Sequence, residues 1–271
     1  MGEIISIISH KGGVGKTTTT VNLGASLTLA GYRVLLVDLD PQGQVATSFH
    51  FGQYDLKCGI FELLVEQAAP EDAVHATSLE GLELIPFSAG LQAESPLREA
   101  LGKDAHIFNT PFSKLKSAYD FILIDCPPSI GELTYASLTV SNSIIVPIQC
   151  EYYALNSLGR LLKFVRDVKK NMNPNLKYRG FLVTMVDLRS NLSRLVMNRL
   201  RYTLGRLVLD TAIPRNIRLA EVPLYGKPAV LIDKNSKGAK SYIELAQELL
   251  NQHGTSESSL SKNYLKLVEN Y

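Results

Sequence analysis

The sequence predicts an α/β fold: a doubly wound, mostly parallel sheet with helices on both faces. Three observations carry this. Apolar, β-branched runs of strand length (residues 4–9, 34–38, 82–86, 121–125, 143–147, 180–185 and 208–213) alternate with stretches of helical spacing. The runs are continuously apolar, as strands buried on both faces by crossover helices must be. The first run also ends in a Gly-rich turn that opens directly into a helix.

The first strand reads Ile4-Ile5-Ser6-Ile7-Ile8, and Ser9-His10-Lys11-Gly12-Gly13-Val14-Gly15-Lys16-Thr17-Thr18 follows it. Residues 17–30 then place Val21, Leu23, Ala25, Leu27 and Leu29 at helical spacing, and Gly31 stops the helix. A Gly-rich turn between strand and helix is a phosphate cradle, because backbone N–H groups close around the anion and the helix N-terminus adds partial positive charge. Gly12, Gly13, Val14, Gly15, Lys16, Thr17 and Thr18 are thus the expected ATP-binding residues, with Lys16 reaching the β- and γ-phosphates and Thr17 ligating Mg²⁺. The usual pattern G-x-x-x-x-G-K-[ST] is met at Gly15-Lys16-Thr17, but His10 holds the place of its first glycine and Lys11 is an additional lysine.

The second strand ends Val37-Asp38-Leu39-Asp40-Pro41-Gln42-Gly43. Carboxylates two residues apart at the C-terminal end of a parallel strand face the same way and lie in the crevice beside the cradle. The fourth strand, Phe121-Ile122-Leu123-Ile124-Asp125, ends in a carboxylate suited to Mg²⁺ through water. Further helices are expected at 60–66, 90–101, 110–117, 133–140, 155–170, 192–204, 217–222 and 239–251. No repeat or low-complexity linker interrupts them, so residues 1–251 read as one ATPase domain. Residues 252–271 form a tail, polar at first and then carrying Leu260, Tyr264, Leu267, Val268 and Tyr271 at helical spacing. It is either a short docking helix or a frayed end.

With 271 residues, 45% of them hydrophobic, the chain can build a full core. No apolar run approaches the about 18 residues of a membrane span, and the N-terminus enters the first strand without a signal segment. Cys58, Cys126 and Cys150 have no metal-type spacing and are expected to be structural thiols in a reducing cytoplasm. The net charge of +2 is unevenly spread: residues 189–240 hold eleven Lys/Arg against three Asp/Glu. That asymmetry points to a basic face for a polyanion.

Lys11-Gly12-Gly13-Val14-Gly15-Lys16-Thr17 resembles the deviant Walker A P-loop of the ParA/MinD ATPases. Gln149-Cys150-Glu151-Tyr152-Tyr153-Ala154-Leu155, residues 182–192, Ile213-Pro214-Arg215-Asn216-Ile217-Arg218, Gly226-Lys227-Pro228 and Ser236-Lys237-Gly238-Ala239 resemble the Soj branch of the ParA proteins. The likeness covers nearly all of residues 1–250. It implies that Lys11 crosses a dimer interface to the partner's nucleotide, that Lys11, Lys16 and Asp40 are catalytic, and that Asp40 handles the attacking water. It further implies that Asp38 serves Mg²⁺ and supports the loop, joining Thr17 and Asp125 as metal residues. Met185, Pro214 and Asn216 would border the adenine. Arg189 and Arg218 would bind DNA without sequence preference, with Lys227, Lys237 and Lys240 as further candidates from the basic segment.

The function so implied is a slow, partner-stimulated ATPase with ATP and Mg²⁺. It dimerises with ATP, binds nucleoid DNA in the cytoplasm, and segregates chromosome or plasmid DNA with a ParB-type protein. Two rivals come with the resemblance. A MinD-like positioning ATPase needs a cationic amphipathic tail, but Lys262 and Lys266 stand against Glu257 and Glu269, so stable membrane binding is not expected. A nitrogenase-reductase-like protein needs cluster-binding cysteines in Gly-rich surroundings, which Cys126 and Cys150 lack. A ParA-like ATPase carrying a protein cargo is the third possibility. Val222-Pro223-Leu224-Tyr225 departs from the branch's more usual Ala-Pro-Ser-His and bears on which cargo is moved.

Overall fold

The computed structural model describes residues 2–252 apart from 53–55, 57, 89–93, 105, 153, 156–157 and 188. The two alternatives for the tail fall on residues 253–271, outside the described residues. The strands are β1 (Glu3–Ile7), β2 (Val34–Asp38), β3 (His75–Ala76), β4 (Leu82–Ile85), β5 (Phe121–Asp125), β6 (Ser143–Gln149), β7 (Lys177–Val186) and β8 (Val208–Pro214). The helices are α1 (Lys16–Leu29), α2 (Gln44–Thr47), α3 (Ile60–Leu64), α4 (Pro70–Ala73), α5 (Glu94–Lys103), α6 (Asn109–Ala118) and α7 (Glu132–Val140). They continue with α8 (Leu158–Asn171), α9 (Asn191–Leu204), α10 (Ile217–Ala220), α11 (Val222–Tyr225), α12 (Ala229–Ile232) and α13 (Lys237–Asn251).

The strands form one sheet in the order β3-β4-β2-β5-β1-β6-β7-β8, parallel except for the antiparallel β3–β4 edge. The chain winds outward from β1 to β2 and β4, returns through β5 between β2 and β1, then crosses to β6 on the far side. The C-terminal ends of β1, β2 and β5 therefore meet where the winding reverses, which is where a doubly wound sheet opens its ligand crevice.

Alternate residues of each strand feed opposite faces. Ile5, Ile7, Leu36 and Leu123 pack with Val21, Leu23 and Leu27 of α1 and with Tyr242, Leu245 and Leu249 of α13. Ile4, Leu35, Val37, Ile122 and Ile124 pack on the other face with Leu97, Phe112, Leu133, Leu161 and Leu200 from α5 to α9. Gly24 seats α1: a Cβ there would lie 2.6 Å from Cδ2 of Leu36, so a side chain would have to displace Leu36 or the helix.

Several details differ from the sequence reading. Strand β6 runs through Pro147 to Gln149 instead of ending at Pro147. Ile145 accepts from Ile8 N–H on the β1 side at 3.1 Å, so by alternation the missing N–H of Pro147 faces that side too. There β1 has already turned away, so no ladder bond is lost. The helix expected at 217–222 is broken into α10 and α11, with Pro223 in the first turn of α11. The four-residue helices α2, α4 and α12 and the two-residue β3 lie below the length at which periodicity is readable. The helix expected at 90–101 begins at Glu94, its first four residues falling on undescribed positions. Among the described residues, no helix is long and apolar enough to cross a membrane.

Candidate functional site: a phosphate cradle over paired carboxylates

The cradle leaves β1 and enters α1 through Gly15, the N-cap, which has φ 93° and carries no side-chain cap. Gly13 is also left-handed, at φ 72°. Both conformations are disfavoured for residues with a Cβ. The first turn of α1 offers its N–H groups to an anion instead of to a capping side chain. Lys16 is buried at the start of this helix, and the carbonyl of Val14 accepts from Thr184 Oγ1 at 2.8 Å, which braces the loop against β7.

Beneath α1 lie the carboxylates. Asp38 and Asp125 occupy paired positions of β2 and β5, and Asp125 is also paired with Ile7 of β1. Asp125 accepts from Thr17 Oγ1 at 2.6 Å and from Thr20 Oγ1 at 3.3 Å. Burial pushes its carboxyl up to about 7, against the opposing pull of the Thr17 bond and the Lys16 charge. Asp38 accepts from the backbone N–H of Asp40 and of Val45, each at 3.0 Å, so it shapes the loop that follows β2. Burial, and then the Asp125 charge, hold Asp38 well above the usual carboxylate range. Asp40 is 7% exposed and accepts from Gln42 N–H at 3.1 Å, within a turn that Gly43 closes at φ 61°.

These donors fit Mg²⁺. Two buried carboxylates with raised pKa, a threonine hydroxyl and a single buried lysine leave negative charge that a hard cation would neutralise. Among the described residues, no group of three or more His, Cys, Asp or Glu side chains could hold a metal. Mg²⁺ in nucleotide sites usually takes only one or two carboxylates, with phosphates and water completing its shell.

Lys11 stands at the outer lip and pairs with Glu151, just past the end of β6; their side chains are 44% and 36% exposed. Sequence reasoning gave Glu151 no role, because nothing local links it to a lysine 140 positions away. On the same edge of the sheet, Met185 is left-handed at φ 54°, and Pro214 is paired in register with Val186. Asn216 caps α10, its side chain accepting from Arg218 N–H at 3.0 Å.

The expected basic residues lie on the surface of the C-terminal half. Arg189 is 92% exposed and pairs with Asp187 at 3.2 Å. Arg218 pairs with Glu221 at 2.8 Å and with Asp233 at 3.7 Å. Lys227, Lys237 and Lys240 are exposed. Cys126 is buried beside the Ser137 hydroxyl at 3.2 Å, and burial pushes its thiol up to about 12. Cys58 and Cys150 are partly buried free thiols.

The profile of the AAA domain family matches residues 2–178. The sporulation initiation inhibitor protein Soj of Bacillus subtilis is 44% identical over 250 residues, covering 92% of this chain and 98% of that one. The chromosome partitioning protein ParA of Myxococcus xanthus is 40% identical over 252 residues, covering 92% and 88%. Among solved structures, cobyrinic acid a,c-diamide synthase of Mycobacterium smegmatis, with bound ATP analogue and magnesium, has a TM-score of 0.81 at 35% identity, covering 92% and 94%. The septum site-determining protein MinD of Pyrococcus horikoshii, complexed with Mg-ADP, has a TM-score of 0.74 at 28% identity, covering 93% and 97%. Likeness of this depth, running through the P-loop half and the basic C-terminal half alike, makes the chain a member of the Soj/ParA family of partitioning P-loop ATPases.

Proposed function

We propose that the chain is an ATP-driven tether. With ATP it forms a dimer that holds nucleoid DNA by its phosphates, and a ParB-type partner releases it by stimulating hydrolysis. The carrying observation is the excess of exposed cations in residues 189–240 of a chain whose relatives are named for chromosome partitioning. Phosphate contacts carry no base information, so such a surface binds duplex DNA without sequence preference.

The N–H groups of Gly12 to Thr18 and the Lys16 ammonium hold the nucleotide phosphates. Thr17 and Asp125, with Asp38, would hold Mg²⁺, which would supply positive charge to offset that of the nucleotide phosphates. Asp40 orients the attacking water. Lys11 leaves Glu151 and reaches the nucleotide of the second subunit, so that ATP joins the two copies. Met185, Pro214 and Asn216 border the adenine. Residues 1–251 act as one ATPase domain, and the chain works in the cytoplasm on the nucleoid. The test is DNA retention over a salt series with ATP and with ADP. Retention that needs ATP and falls steeply with salt is expected. Equal retention by the ADP form would remove the tether and favour a membrane or protein cargo.

A further inference from the structure

The loop bearing Asp38 and Asp40 continues through α2, whose Val45 and Ala46, with Phe49, share a core with Val222, Ala229 and Val230. It reaches His50, whose backbone is left-handed at φ 60°. There Nε2 lies 3.1 Å from the carbonyl oxygens of both Pro223 and Leu224. Carbonyls only accept, so Nε2 carries a proton and donates to both. Gly226, also left-handed at φ 60°, lies against the ring: a Cβ there would fall 2.3 Å from His50 Cγ. The imidazole is therefore gripped between two α11 carbonyls and the glycine that ends α11.

Asp40 sits between two anchors. At the strand end, Asp38 takes the N–H groups of Asp40 and, across the turn, of Val45 at the start of α2. On the far side, His50 Nε2 donates to the α11 carbonyls of Pro223 and Leu224. We propose that His50 is a positioning residue for ATP hydrolysis: it clamps the far end of the Asp38–His50 segment to α11 and so sets where the Asp40 carboxylate stands over the crevice. This rests on the reading of Asp40 as the group that orients the attacking water. A carboxylate displaced by about 1 Å can lose some 10²-fold in rate without touching the phosphate grip. The clamp also joins the hydrolytic loop to the element next to Arg218, so a displacement of α11 would be passed to the segment that carries Asp40.

The test uses the full chain with His50→Ala, His50→Gln and Gly226→Ala, measuring kcat and KM for ATP, fluorescent-nucleotide affinity, and circular dichroism for folding. His50→Ala should lower kcat by roughly tenfold or more, with KM and affinity changed less than about twofold. Gly226→Ala, which wedges the ring out, should match it. His50→Gln, whose amide N–H can reach the same carbonyls, should recover most of the rate. A folded His50→Ala with wild-type kcat overturns the proposal, as does a folded His50→Gln no better than His50→Ala. Should His50→Ala fail to fold, Gly226→Ala decides: lowered kcat at constant affinity supports the clamp, and unchanged kcat overturns it. Asp40→Ala separates the two readings. Normal hydrolysis in Asp40→Ala sinks the role of Asp40, whereas an inactive Asp40→Ala beside a fully active His50→Ala sinks the clamp alone.

Discussion

Asp38 and Asp125 stand opposite each other in register on β2 and β5, and both side chains are fully buried. Burial raises both carboxyls, Asp125 to about 7, above the ordinary value. The folded state then binds more protons than the unfolded chain between about pH 4 and 7, so these groups cost stability progressively as pH rises through that window. Nucleotide-free Asp125→Asn should melt ~3 °C or more above wild type at pH 8, with the gap closing toward pH 4. Thermal scans at the two pH values, with and without Mg-ATP, check this. With Mg-ATP the order should reverse, because the variant loses a metal contact.

Asp40→Ala should keep ATP binding and lose roughly 10²–10⁴-fold in hydrolysis, accumulating as an ATP dimer on DNA. Asp125→Ala should instead weaken Mg²⁺-dependent binding. Light scattering with single-turnover hydrolysis distinguishes them, and a monomeric Asp40→Ala in ATP would refute this division.

Lys11 is held by a half-exposed ion pair, and such pairs contribute only about 0–1 kcal/mol. Moving it to another subunit is therefore cheap. Lys11→Ala should bind nucleotide but fail to dimerise with ATP and lose roughly 10³–10⁵-fold in rate, whereas Lys16→Ala should lose the phosphates outright. ATP-dependent dimers of Lys11→Ala in light scattering would count against the trans role.

Arg218→Glu should flatten the log–log salt slope of DNA retention by about 2 per dimer, or abolish retention, while DNA-free ATPase survives. An unchanged slope would move the DNA surface away from α10. Arg218 must also leave Glu221 and Asp233 to reach a phosphate, so Glu221→Gln is expected to tighten DNA binding.

The P-loop was legible because a phosphate cradle needs consecutive residues: two left-handed glycines, a lysine and a threonine at the mouth of one helix. The parallel sheet was legible because its strands are apolar on both faces. Residues whose meaning depends on distant contacts were not legible. Glu151 acquires a role only when β6 outruns β1, and Pro147 looked like a strand end because the sequence does not show that its neighbour has already departed. His50 has no motif, and its importance lies in two carbonyls more than 170 positions away.

Helix α13 roofs α1: Tyr242 lies in hydrogen-bond contact with Thr19 at 3.1 Å, and Leu245 and Leu249 share a core with Val21 and Leu23. The phosphate-binding helix, made within the first 29 residues, is thus covered by one that ends at Asn251. A growing chain displays its nucleotide motif long before it can seat it. The buried face of the phosphate-binding helix therefore waits, during synthesis, for a helix made more than 200 residues later.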